Sequence, residues 1–177
     1  SCQRSTHTHA PPAALPSGSS LASLLLDLSP RLTGQQRDEV EALVDNVWPD
    51  LERTWVWTSR GRGRVDRLAL WLGAASSQGV ARRFVRIPPR LGDDALVLST
   101  ESKSDEETLP QPNVNPPKRG EYVSILDAAL IESGLVSTWL KGVSRETMTR
   151  WASVDGRRPQ VHHDHPLRLE QRGDSQL

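Results

Sequence analysis

The stretch from 101 to 119 sets the first limit on what this chain can fold into. Ser102 to Thr108 is acidic, and Pro110, Pro112, Pro116 and Pro117 follow within ten residues. Proline fixes φ, removes a backbone donor and keeps the preceding residue out of the helical region, so no helix or central strand runs through such a segment. It reads as a long exposed loop or linker. The chain of 177 residues is thereby divided into an α+β portion over 21–100 and a helical portion over 120–177 that ends in a histidine-rich strand or tail. Residues 1–20 hold three prolines and almost no large apolar side chain, and they read as a disordered tail.

One ordinary core is what this length supports. Apolar residues make up 36% of the chain, low for a wholly folded one, which fits a tail and a long loop. The six tryptophans, beside one phenylalanine and one tyrosine, read as core anchors. A single cysteine, Cys2, excludes an internal disulfide. The sequence has no apolar run long enough for a transmembrane segment. A soluble, intracellular chain is expected.

Local pattern supplies the elements. Leu21, Leu24, Leu25 and Leu28 have helical spacing, closed by Pro30. Thr33 followed by Gln36 is a capping box. Behind it Val40, Leu43, Val44 and Val47 mark one buried helix face. Thr54 to Thr58 alternates as a strand, and Val65 to Leu72 returns to helical spacing. Arg83–Ile87 and Ala95–Ser99 read as strands of a hairpin across Gly92-Asp93-Asp94. Tyr122–Ser133, Leu135–Lys141 and Arg145–Ser153 read as helices. The expected fold class is α+β: a helix-rich small domain with a few short antiparallel strands.

Net charge is zero, which gives no global argument for a polyanionic partner. Charge is instead segregated. Eight arginines stand between Arg60 and Arg90 against Asp66 alone, and six acids stand between Gly92 and Thr108 against Lys103. Only three basic residues of the chain are lysine. Arginine suits bidentate recognition of phosphate and carboxylate. Arg60, Arg62 and Arg64 are therefore candidate nucleic-acid contacts. A solvated face cancelled by the neighbouring acids explains the same letters.

Gly142-Val-Ser-Arg-Glu-Thr-Met-Thr-Arg-Trp151 resembles the turn and recognition helix of helix-turn-helix DNA-binding proteins. The resemblance covers about twenty residues and implies that Arg145 and Arg150 face a groove, with Arg157 and Arg158 adding basic contacts. The stretch from Gly156 to Leu167, containing His162-His163-Asp164-His165-Pro166, resembles the first strand of the HNH (ββα-metal) nucleases. That resemblance implies a divalent metal ion held by His162, with His163 as the general base. Residues alternate across a strand, so Asp164 can join His162 at a metal while His163 cannot. The match stops at this strand: Arg168 to Leu177 hold neither asparagine nor histidine.

Two readings of function follow. In one, the chain is associated with DNA or RNA through arginine clusters, with a partial metal-dependent nuclease as its catalytic form. In the other, it is a non-enzymatic structural or interaction subunit of a larger assembly, held by protein partners.

Overall fold

Thr33 starts the one long helix as its sequence demands. In the computed structural model, which describes residues 23–61, 63–101, 119–143, 149–152, 159–163 and 174–176, helix α1 (Gly34–Val47) begins with both halves of the capping box in place. The Thr33 hydroxyl accepts from the Gln36 amide at 3.3 Å, and the Gln36 side chain accepts from the Thr33 amide at 2.9 Å.

Most of the rest is strand. Sheet A is built from β1 (Ser23–Leu28), β2 (Arg53–Ser59), β3 (Arg67–Gly73), β4 (Arg82–Arg86) and β5 (Leu96–Thr100), in the order β1-β3-β2-β4-β5. Sheet B holds β6 (Tyr122–Leu126), β7 (Thr149–Ala152), β8 (Gln160–His163) and β9 (Asp174–Gln176), in the order β7-β8-β6-β9. Two short helices, α2 (Ala128–Glu132) and α3 (Val136–Val143), follow β6. The domain is thus strand-rich, which overturns the helix-rich expectation while keeping the α+β mixture.

The reason lies in leucine-rich strands with helix-like spacing. β1 alternates, with Leu24, Leu26 and Leu28 packed on the core and Leu25 turned outward at 56% exposure. β3 is buried on both faces over Leu68, Ala69 and Leu70, so its sequence shows no alternation at all. Tyr122–Leu126 pairs with β8 and β9 as a strand, and only the residues after Asp127 turn helical. Thr149–Ala152 is strand where a recognition helix was expected; 144–148 and 153 lie outside the described residues. So do the proposed tail, the acidic half of the 101–119 loop and its prolines. The β4–β5 hairpin forms as read, antiparallel from Arg82↔Thr100 to Arg86↔Leu96.

Sheet A contains one parallel pairing, β2 with β4. The β3–β4 link over 74–81 therefore crosses the end of β2 instead of making a hairpin. Buried Thr54 stitches that crossing: its hydroxyl donates to the Val80 carbonyl at 2.7 Å and accepts from the Ser77 amide at 3.0 Å.

One core joins the two sheets. Trp55, Trp57, Leu68, Leu70, Leu72 and Phe84 from one face of sheet A cluster with Leu126, Leu130, Leu135, Val136, Trp139 and Val161. Helix α1 lies on the same face, but rotated from the expected stripe. Arg37 sits over the Trp57 ring at 5.7 Å, Glu41 accepts from the Trp55 indole N–H, and Asp45 pairs with Arg53 at 2.7 Å. Three polar residues spaced four apart thus track β2 rung by rung. Val44 is buried between them, while Leu43 and Val47 stay exposed at 66% and 56%. Trp55, Trp57 and Trp139 are the buried anchors expected of tryptophan. Among the described residues no helix is long and apolar enough to cross a membrane.

Candidate functional site

Strand β8 places the histidine pair in the middle of sheet B, between β6 and β7. His162 lies opposite Val123 and Arg150 in register, and His163 opposite Tyr122 and Thr149. Neighbouring strand residues point to opposite faces, and here both faces are covered: His162 is 2% exposed and His163 4%. His163 shares the face of Ser124 and Val161. Its Nε2 shares a 2.9 Å hydrogen bond with the Ser124 hydroxyl, and the Tyr122 ring stacks on the imidazole at 5.9 Å with an angle of 9°. Tyr122, 46% exposed, forms the outer wall of this contact.

A general base has to reach water or substrate. His163 Nε2 is instead engaged by a serine that is itself 3% exposed. A metal centre requires several donors converging on one point, and among the described residues no group of three or more histidine, cysteine or acidic side chains is placed to hold an ion. Asp164 lies outside the described residues, so its proposed pairing with His162 has no geometry to set beside this.

The candidate nucleic-acid contacts fall into two sets. Arg60 and Arg64 are exposed on the β2–β3 loop, with Arg62 between them outside the described residues. Asp66 organises that loop, accepting from the Arg60 amide at 2.7 Å and pairing with Arg64 at 3.7 Å. Arg150 lies on β7, and its side chain is not among those described; Arg145, Arg157 and Arg158 lie outside the described residues.

Three other arginines of the basic segment make contacts within the chain. Arg82 is buried and donates to the Ser133 carbonyl at the end of α2 at 3.0 Å, where a cation meets the negative end of the helix. Arg83 lies over the Trp71 ring at 6.0 Å, and Arg67 pairs with Asp27 at 3.6 Å. A crevice of about 10 Å³, room for one water, is lined by Glu41, Arg53, Trp55, Ala81 and Arg82.

A second buried polar contact was not anticipated from the sequence. Ser59, at the carboxyl end of β2, donates to Asp127 Oδ2 at 2.6 Å, and both residues are fully buried. Asp127 is also the N-cap of α2, accepting from the Ala129 amide at 2.9 Å. The Gly61 amide donates to Ser59 Oγ at 2.9 Å, so the loop, the sheet and the helix meet at one hydroxyl. Burial pushes the Asp127 carboxyl above its ordinary value of 3.8; the Ser59 hydroxyl, the Ala129 amide, the Arg86 charge and the Leu130 amide pull the other way. Its signal was present: an aspartate directly before Ala-Ala-Leu-Ile is a helix start.

Chemically, these contacts clamp strands and helices together. No protein-family model, no curated protein and no solved structure matches this chain.

Proposed function

We propose that this chain is a non-enzymatic interaction domain, a subunit of a larger assembly, which engages a protein partner through the outer face of sheet A. The observation that carries this reading is the pair of exposed apolar side chains at the two edges of that face, whose centre over Thr54, Val56 and Ala69 is buried. Leu25 on β1, Trp71 on β3, Val85 on β4 and Val97 on β5 all point away from the core cluster, and α1, α2 and α3 pack on the opposite face. Leu25 is 56% exposed and Val97 49%, at the two edges of the sheet. Exposed apolar side chains on a sheet face mark a contact surface. The charged side chains beside it are Arg67 and Arg83, with Asp27 paired to Arg67. A partner with apolar residues fringed by carboxylates matches that surface. The histidine pair and Asp127 then serve structure, and the reading calls on no divalent metal.

A photoreactive phenylalanine analogue at position 25 or 97, introduced in the cell that makes the protein, tests the claim. The same defined adduct should form from both positions and be absent from position 39, an exposed site on α1. It should also disappear when the other edge carries arginine, as in Val97→Arg with the probe at 25. Equal labelling at all three positions, or none at 25 and 97, overturns the reading.

A further inference from the structure

The parallel pairing of β2 and β4 gathers separate arginines at one end of sheet A. Register places Ser59 opposite Arg86, and the Ile87 amide donates to the Ser59 carbonyl at 2.8 Å, so both strands finish at the same edge. The loop leaving β2 carries Arg60 and Arg64, and the loop leaving β4 carries Arg90. All three are exposed. We propose that this end binds the backbone phosphates of a nucleic acid. The proposal does not rest on the sheet face described above.

Two features shape this end of the sheet. Gly61 takes a left-handed φ of 73°, and a Cβ there would lie 2.9 Å from Nη2 of Arg86. The loop backbone thus passes close to the Arg86 guanidinium, and its left-handed turn at this position favours glycine. The nearby carboxylates are both engaged within the chain. Asp66 holds the loop through the Arg60 amide and Arg64, and Asp127 is fully buried on Ser59 and Ala129. The Arg60 and Gly61 amides are taken up by Asp66 and Ser59, so the guanidinium groups, and not these amides, would meet the anion. Asp93 and Asp94, exposed further along the second loop, limit the affinity.

Arginines standing on two separate loops suit a line of spaced phosphates better than one enclosed anion. A duplex backbone supplies that line, and arginine meets it bidentately. Three such contacts predict a loss of about 40-fold in affinity between 50 and 200 mM salt.

Fluorescence anisotropy of the full chain with a labelled 20-base-pair duplex tests this. Binding at 50 mM salt should weaken by about that factor at 200 mM. Arg60→Ala with Arg64→Ala and Arg90→Ala should abolish binding while leaving the thermal midpoint in place. Arg90→Glu alone, on the other loop, should weaken it even if the triple variant fails to fold. No binding at low salt, binding untouched by Arg90→Glu, or capture of a phosphoserine peptide in preference to the duplex would each overturn the proposal. Adducts at 25 and 97 are read separately, so either claim can fail alone.

Discussion

Two buried serine contacts, Ser59–Asp127 and Ser124–His163, differ in what they do to this domain. At the end of sheet A, Ser59 meets a carboxyl that also caps α2 and feels Arg86. In sheet B, Ser124 meets an imidazole that is stacked under Tyr122 within one strand pair. The first joins a strand, a loop and a helix, and it confines an ionisable acid that would rather stay neutral there. The second joins neighbours in one ladder. Burial of similar depth therefore yields a junction in one place and a local rivet in the other. The partners of the serine, and not its own burial, set the difference.

Asp127→Ala should break the comparison most strongly. It removes the α2 cap and leaves the Ser59 hydroxyl without its acceptor in the interior, a loss of about 3 kcal/mol. Urea unfolding followed by tryptophan fluorescence measures it; a loss under 1 kcal/mol would mean the junction carries little. Ser124→Ala should cost about 1 kcal/mol, since one hydrogen bond goes and the imidazole keeps its stack. If Ser124→Ala matched Asp127→Ala, the distinction between junction and rivet would be wrong.

The smallest effect is one of slope. With its folded pKa raised above 3.8, Asp127 contributes stability that is complete below that pH and is lost as pH climbs through the folded value. Asp127→Asn removes that loss. The stability of the Asn variant relative to the parent should therefore improve as pH rises from 3.5 to 7, read from urea midpoints across the range. A difference that worsens with rising pH would show that ionised Asp127 is the favoured form in the folded domain.

Local chemistry was the legible part of the sequence. The Thr33–Gln36 cap, the Trp55–Trp57 strand and the β4–β5 hairpin each depend on residues a few positions apart. What the sequence concealed depends on distant partners. Val65–Leu72 satisfies helical spacing because β3 is central and buried on both faces, where strand alternation disappears. The apolar stripe of α1 misled because Arg37, Glu41 and Asp45 had better partners on β2 than Leu43 and Val47 did. At the candidate site, the sequence left the histidine pair on a strand or in a tail, and nothing local reveals that both faces of strand β8 are covered. Ser59 and Asp127 are 68 positions apart, beyond any motif.

The crossing stitched by Thr54 has a consequence for how the sheet avoids a rival wiring. After β3, the shortest route for β4 is to fold straight back along the open side of β3, as hairpins usually do. That berth is taken by β1, which pairs with β3 along its whole length from Ser23↔Gly73 to Leu28↔Leu68. Six residues at the rim of the sheet thus act as a placeholder. By occupying the near berth they send the β4–β5 hairpin across to β2, and the arrival of Arg86 beside Ser59 depends on a strand that touches neither.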